Sequence, residues 1–281
     1  MSSARTPAAR AWAYVAARSA GQPVDPGWRV TLNFHPDRMV RGRPLLAVMA
    51  EDGVYRSQFE TGTSNGGLTA YPGGDRWQWE SRIFGQAYDT ASPSERPRYG
   101  ALNLGHAPAG AAPRFGSAHL RLASGVLART TFCHPDSVYG PSHFGVADRF
   151  ALVERLAAVA GQGDPLDHYI EAHVHGGVHI ASDVDAIVLD PSFRNTEVEA
   201  LAHALPCRVE WHAGFRAEAD LLRQQHEYRG RAVAELAALL ACDGPLTPMR
   251  IGEAVRVGQH DPQMLKQVWH CLARFGNCNH R

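Results

Sequence analysis

A chain of 281 residues, 44% of them hydrophobic, can bury the core of one large domain, or of a main domain with an appendage. Its 28 basic and 28 acidic side chains cancel, so no overall field draws it to nucleic acid or an anionic membrane, and any anion site must be local. Five scattered cysteines without a CxxC pair argue against a disulfide framework and a thiolate zinc site, and no apolar run approaches the roughly 20 residues of a membrane-spanning helix, so the expectation is a soluble cytoplasmic protein with reduced thiols.

The first predicted element is a short helix over 11–17, closed too soon by Arg18 to be a signal peptide and ending near Gly21. Alternation over 29–35 predicts a strand with His35 at its end. Pro44 at a first helical position and Gly53 after the last predict a helix over 44–52, followed by a strand over 54–60. The loop at 61–67 is rich in glycine and small polar residues, which leaves backbone N–H groups free to face a ligand. A helix over 75–84 comes next, then short strands over 99–104, 114–122 and 126–133, the last two expected to pair as a hairpin. A helix over 148–160 is capped by Asp148 and stopped by Gly161. Strands over 185–190 and 207–212 flank a helix over 197–205.

From Arg216 the pattern turns helical, with one long helix over 217–241 and two shorter ones between 249 and 275. The chain therefore divides into an N-terminal helix and linker (1–24), an α+β domain (25–216) and a helical appendage (217–281). The α+β domain is expected to carry a mainly antiparallel, curved or split sheet with helices at one side.

The working centre is the stretch Tyr169-Ile-Glu-Ala-His-Val-His-Gly-Gly-Val-His-Ile180, because its polarity alternates residue by residue. A strand sends Ile170, Ala172 and Val174 into a core and lines up Glu171, His173 and His175 on the opposite face, beside a cleft.

No GxGxxG follows a strand, and GxxxxGK[ST] and HExxH are absent, so Rossmann, P-loop and zincin readings lack support. Gly62-Thr-Ser64-Asn-Gly66 fits GxSxG with Ser64 as nucleophile, but Gly67, Pro72, Gly73 and Gly74 break the helix that a nucleophile elbow needs. His173 and His175, two apart on one strand, can chelate a divalent metal. His179, with His35, Asp37 or His212, would complete the set and Glu171 would act as base, giving a metal-dependent hydrolase.

The order of parts is similar to the ADP-ribosyltransferase superfamily, with a His or Arg on the first strand, a Tyr or Ser mid-domain and a Glu on a late strand. The matching residues are His35, Tyr99 and Glu171, with Ser57 or Thr131 as other mid-domain candidates. Asn33-Phe-His-Pro-Asp-Arg38, Arg56-Ser-Gln-Phe-Glu-Thr-Gly62, Arg114-Phe-Gly-Ser-Ala-His-Leu-Arg-Leu122 and Glu171-Ala-His-Val-His-Gly176 resemble an uncharacterised bacterial family, a domain of unknown function, over residues 29–216.

The superfamily resemblance implies NAD as substrate. Glu171 would stabilise an oxocarbenium-like sugar, His35 would bond a ribose hydroxyl, Tyr99 would stack near nicotinamide, and Arg56 or Arg114 would grip the pyrophosphate. Ser57, Thr61, Gly62, Thr63 and Ser117 would complete the dinucleotide site. Tyr169 stands where arginine-modifying members carry a second Glu, which leaves the acceptor open among protein, nucleic acid and small molecule. A nucleotide-binding or interaction module without turnover is the third expectation.

Overall fold

The computed structural model describes residues 6–62 and 69–276. Strands form where β-branched and aromatic residues alternate with small or polar ones. They are β1 (Arg29–Phe34), β2 (Arg98–Asn103), β3 (Ala118–Leu122), β4 (Thr130–His134), β5 (His143–Val146), β6 (Glu171–Val174), β7 (Val184–Leu189) and β8 (Arg208–Trp211). They join in the order β8-β7-β3-β1-β2-β6-β4-β5 as one unbroken sheet, antiparallel at every step except β7 with β8. The helices are α1 (Pro7–Ala16), α2 (Leu45–Asp52), α3 (Asp75–Ile83), α4 (Leu152–Ala158), α5 (Glu197–Ala202), α6 (Ala219–Gln224), α7 (Arg231–Leu239), α8 (Pro248–Val257) and α9 (Pro262–Phe275). No described helix is long and apolar enough to cross a membrane.

Register decides which side chains share a face. Ala101 stands opposite Thr31 on one side and Glu171 on the other, and Cys133 stands opposite Glu171. Because side chains alternate, one face carries Val30, Leu32, Phe34, Leu120, Phe132, Ala172, Val174 and Ile187, which pack with Leu46 and Met49 of α2, Leu152 of α4 and Ala202 of α5. Each fully buried Leu or Phe there contributes about 1.5–3 kcal/mol relative to exposure. The opposite face carries Thr31, Asn33, His119, Tyr99, Glu171, His173, Thr131 and Cys133.

Helices cover both faces, whereas the sequence suggested one side. On the polar face, Ala11 and Val15 of α1, with Phe84 and Tyr88 after α3, pack on Cys133, Phe144 and Val146. The C-terminal helices close the other flank. In α9, Leu265, Val268, Trp269 and Leu272 fall on one buried stripe. Asp261 caps this helix by accepting from the N–H groups of Gln263 and Met264 at 2.6 and 3.1 Å. Trp269 Nε1 donates to the carbonyls of Pro113 and Arg114, each at 3.0 Å, which ties the tail to the segment before β3.

Several local expectations give way. The strand expected over 54–60 is only Val54–Tyr55, because Ser57 starts a helical turn at Gln58–Thr61 with a reciprocal cap: the Ser57 Oγ accepts from the Glu60 N–H, and the Glu60 carboxylate accepts from the Ser57 N–H. β3 and β4 begin only at Ala118 and Thr130, after 3-10 turns at Pro113–Phe115 and Ser124–Arg129. They do not form the expected hairpin, since β3 pairs with β1 and β7, and β4 with β6 and β5. The six-residue 3-10 segment between them is a crossing and not a tight reversal. α4 starts at Leu152 instead of Asp148 because the Phe150 N–H is taken by the Gln22 carbonyl at 2.8 Å. The long tail helix is two helices, broken where Gly230 adopts a φ of 92°.

His119, buried on the polar face, is lowered from 6.5 to about 3 by burial, with His212 and Arg121 adding to the effect. Between those values the unfolded chain binds a proton that the folded chain refuses. Stability complete above the window is therefore lost as pH falls through it, by about 1.4 kcal/mol per pH unit. In His119→Asn, which cannot titrate, urea midpoints should fall less steeply on acidification than in the parent chain; equal slopes would contradict this assignment.

Candidate active site

A cleft of about 220 Å³ opens on the polar face, with Asn33, Tyr99, Gly100 and Glu171 along its floor. Arg76 and Trp79 of α3 form one wall, and Arg114 and Phe115 another. Asp136 and Tyr139 follow β4, and Lys266 reaches in from α9. Tyr99 faces His173 across β2 and β6, two pairs along from Ala101 and Glu171, so strand pairing itself brings Tyr99 and Glu171 onto one floor.

Glu171 is 5% exposed and ends a chain of hydrogen bonds that runs under the sheet. Tyr88 Oη lies 2.7 Å from His175 Nδ1, His175 Nε2 lies 2.9 Å from Thr131 Oγ1, Thr131 Oγ1 lies 3.2 Å from His173 Nδ1, and His173 Nε2 lies 2.7 Å from Glu171 Oε1. One assignment satisfies every link: Tyr88 donates to His175, His175 to Thr131, Thr131 to His173, and His173 to Glu171. Both imidazoles are then neutral with the proton on Nε2. Burial lowers each to about 3, which agrees with that assignment.

On the other carboxylate oxygen, Ser137 Oγ donates at 3.2 Å. Burial raises Glu171, while Arg76 and Ser137 oppose the rise. Asp136, close enough to Glu171 to feel its charge, accepts from the Tyr169 hydroxyl and from the Val138 N–H, and is raised to about 6 by burial and by the charge of Glu171.

Arg76 supplies the counter-charge. Burial works against its charge, but Tyr99, Glu171 and Glu80 outweigh it and raise Arg76. Its guanidinium lies over the Tyr99 ring, 4.3 Å from the centroid, while its Nε and Nη1 are buried without a hydrogen-bond partner among the described residues. Gln58 Oε1 is likewise buried and unpartnered among them. Beneath Arg76, Glu80 accepts from Tyr99 Oη at 3.0 Å and from Arg96 at 2.5 Å, which fixes the tyrosine ring.

Of the residues singled out from sequence, Tyr99, Glu171 and Arg114 line the cleft. His35 does not; it borders a separate pocket of about 70 Å³ beside α2, and its ring packs edge-on against Trp269 with centroids 5.0 Å apart. Burial, with Arg38 and His270 nearby, lowers His35 to about 3. Arg56 is exposed and paired with Asp52 at 2.6 Å. Ser57 and Gly62 are caps of the 58–61 turn, and Thr61 donates to the Ser57 carbonyl at 3.3 Å. Ser117 is buried under β3, its carbonyl accepting from His212. Thr63 and Ser64 lie outside the described residues.

The metal set expected from sequence is not assembled. His173 and His175 both turn toward Thr131, and His179 is exposed beyond the strand. Asp37 sits in the loop after β1, and His212 after β8. Missed from sequence were Arg76, Gln58, Trp79, Asp136, Tyr139, Tyr88 and Cys133. Lys266, the lone lysine of the chain, reaches the same cleft.

A family model described as a protein of unknown function (DUF3626) matches residues 29–163 and 157–273. No curated protein matches the chain.

Thr131 carries the middle of the hydrogen-bond chain. Thr131→Val should leave two buried imidazole nitrogens unpaired and lower stability by about 2–4 kcal/mol in urea titration, while Thr131→Ser stays within about 1 kcal/mol of the parent. Equal losses in both variants would assign the effect to the missing methyl group and not to the hydroxyl.

Proposed function

The chain belongs to the DUF3626 family, and from that premise and the geometry of the cleft we propose that it breaks the nicotinamide–ribose bond of NAD and passes ADP-ribose to a nucleophile, water included. The observation that carries this reading is the Glu171 carboxylate, held by a directed row of hydrogen bonds on the floor of an aromatic-walled cleft beside Tyr99. As the C–N bond breaks, its electron pair leaves with nicotinamide and positive charge develops on the ribose. A fixed carboxylate out of bulk water stabilises that charge more strongly than one free to reorganise in solvent.

Trp79, Tyr99, Phe115 and Tyr139 offer faces for nicotinamide and adenine. Arg76, with two buried nitrogens unpartnered among the described residues, and Arg114 and Lys266 across the cleft supply the charge that a pyrophosphate requires. Gln58 Oε1 is a ready acceptor for a ribose hydroxyl, the role that the superfamily resemblance gave to His35. Asp136, beside Glu171 and facing the cleft, takes the proton of the attacking nucleophile.

Chromatographic assay of nicotinamide release, with calorimetry of NAD binding, tests this function. Glu171→Gln should cut release by about 100-fold or more while changing NAD affinity little. Arg76→Ala should weaken NAD binding instead. Failure of the parent chain to bind millimolar NAD, or undiminished release in Glu171→Gln, would remove it.

A further inference from the structure

We propose that Cys133, Glu171 and His173 form a binding site for one divalent transition-metal ion, zinc by its ligand chemistry. The site stands on its own three residues; only its consequence for NAD cleavage, loss of the free Glu171 carboxylate, rests on the function proposed above.

The donor atoms already converge. Cys133 Sγ lies 3.8 Å from Glu171 Oε1 and 3.8 Å from His173 Nε2, and those two atoms are 2.7 Å apart. In a tetrahedral zinc site, ligands about 2.0–2.3 Å from the ion stand about 3.3–3.6 Å from one another. An ion therefore fits once the Glu171–His173 contact opens by about 0.6–0.9 Å, replacing that hydrogen bond with two metal bonds. Strand pairing fixes the set, since Cys133 stands across from Glu171 and Thr131 across from His173. One thiolate, one imidazole and one carboxylate suit a borderline ion, not the all-oxygen shells of magnesium or calcium.

A second observation points the same way. His173 can bind a metal through Nε2 only if its proton moves to Nδ1 and finds an acceptor there. Thr131 Oγ1 is that acceptor, and the whole chain can reverse: His173 Nδ1 donates to Thr131, Thr131 to His175 Nε2, and His175 Nδ1 to Tyr88 Oη. Every link of the chain is kept, with the Tyr88 hydroxyl turned from donor to acceptor and its own proton released from His175. The Cys133 thiol gives its proton to solvent on binding, and Ser137 keeps its hold on the free Glu171 oxygen. Glu171 borders the cleft, which supplies both the entry path and the fourth coordination position.

Cobalt(II) titrated into the full chain tests the site without NAD. One equivalent should bind and give thiolate-to-cobalt absorption in the near ultraviolet. Cys133→Ser should lose that band. Thr131→Val, which keeps all three ligands, should bind about 10–100-fold more weakly. If Cys133→Ser does not fold, Glu171→Gln serves in its place, with loss of stoichiometric uptake as the readout. No stoichiometric uptake of cobalt or zinc by the parent chain, or a thiolate band that survives in Cys133→Ser, would overturn the site. Stoichiometric uptake by a chain that, once stripped of metal by chelator, still never releases nicotinamide would leave the site standing and remove the function above.

Discussion

Four hydrogen bonds in series, all pointed at one carboxylate, set the terms for the rest of this protein. Two imidazoles, a phenol, a hydroxyl and a carboxyl are withdrawn from water on the polar face of the sheet, and each would be costly there without a partner. The chain from Tyr88 to Glu171 satisfies them in sequence, and α1 and the segment after α3 exist on that face to keep water from competing. The same seclusion holds both histidines neutral and raises the carboxyl at the end of the row. Structure and chemistry are thus one constraint: what makes Glu171 costly to bury is what makes it useful at the edge of a cleft.

The helical tail shares this logic instead of standing apart from it. Its core runs into the sheet domain through Ala109, Leu166 and Phe215, so the segments before and after residue 217 bury one apolar cluster together. Asp164 accepts from Tyr228 at 2.8 and 2.7 Å and from Arg229 of the tail, and lies 3.6 Å from Arg114 in the cleft wall. α9 also delivers Lys266 to the cleft. A tail that supplies part of the wall belongs to the site, whatever the ligand.

Much of this was legible because alternation is a local signal. The period-two pattern of Ile170 to His175 gave the two faces of β6 directly, and the aliphatic face is buried as expected. The end of α2 at Gly53 also followed from a local rule, whereas α2 starts one residue after Pro44 and α4 ends at Ala158, short of Gly161. Strand order did not, since β3 and β4 are neighbours in sequence and far apart in the sheet, and no local feature says which distant strand a segment will join. His35 looked catalytic because it ends the first strand, yet the tail places Trp269 against it, a contact across more than two hundred residues. Arg76 and Gln58 carry no sequence signal; only the fold reveals polar atoms buried beside Tyr99 and Glu171 with no partner among the described residues. Cys133 was read only as one of five scattered thiols, although its register opposite Glu171 is what gives it meaning.

The most direct measurement is a crystal structure of the chain with a non-cleavable NAD analogue. The nicotinamide ribose should rest in van der Waals contact with Glu171, the pyrophosphate between Arg76 and the Arg114–Lys266 side of the cleft. An analogue bound away from β6, or density for none at saturating concentration, would contradict the assignment of this cleft.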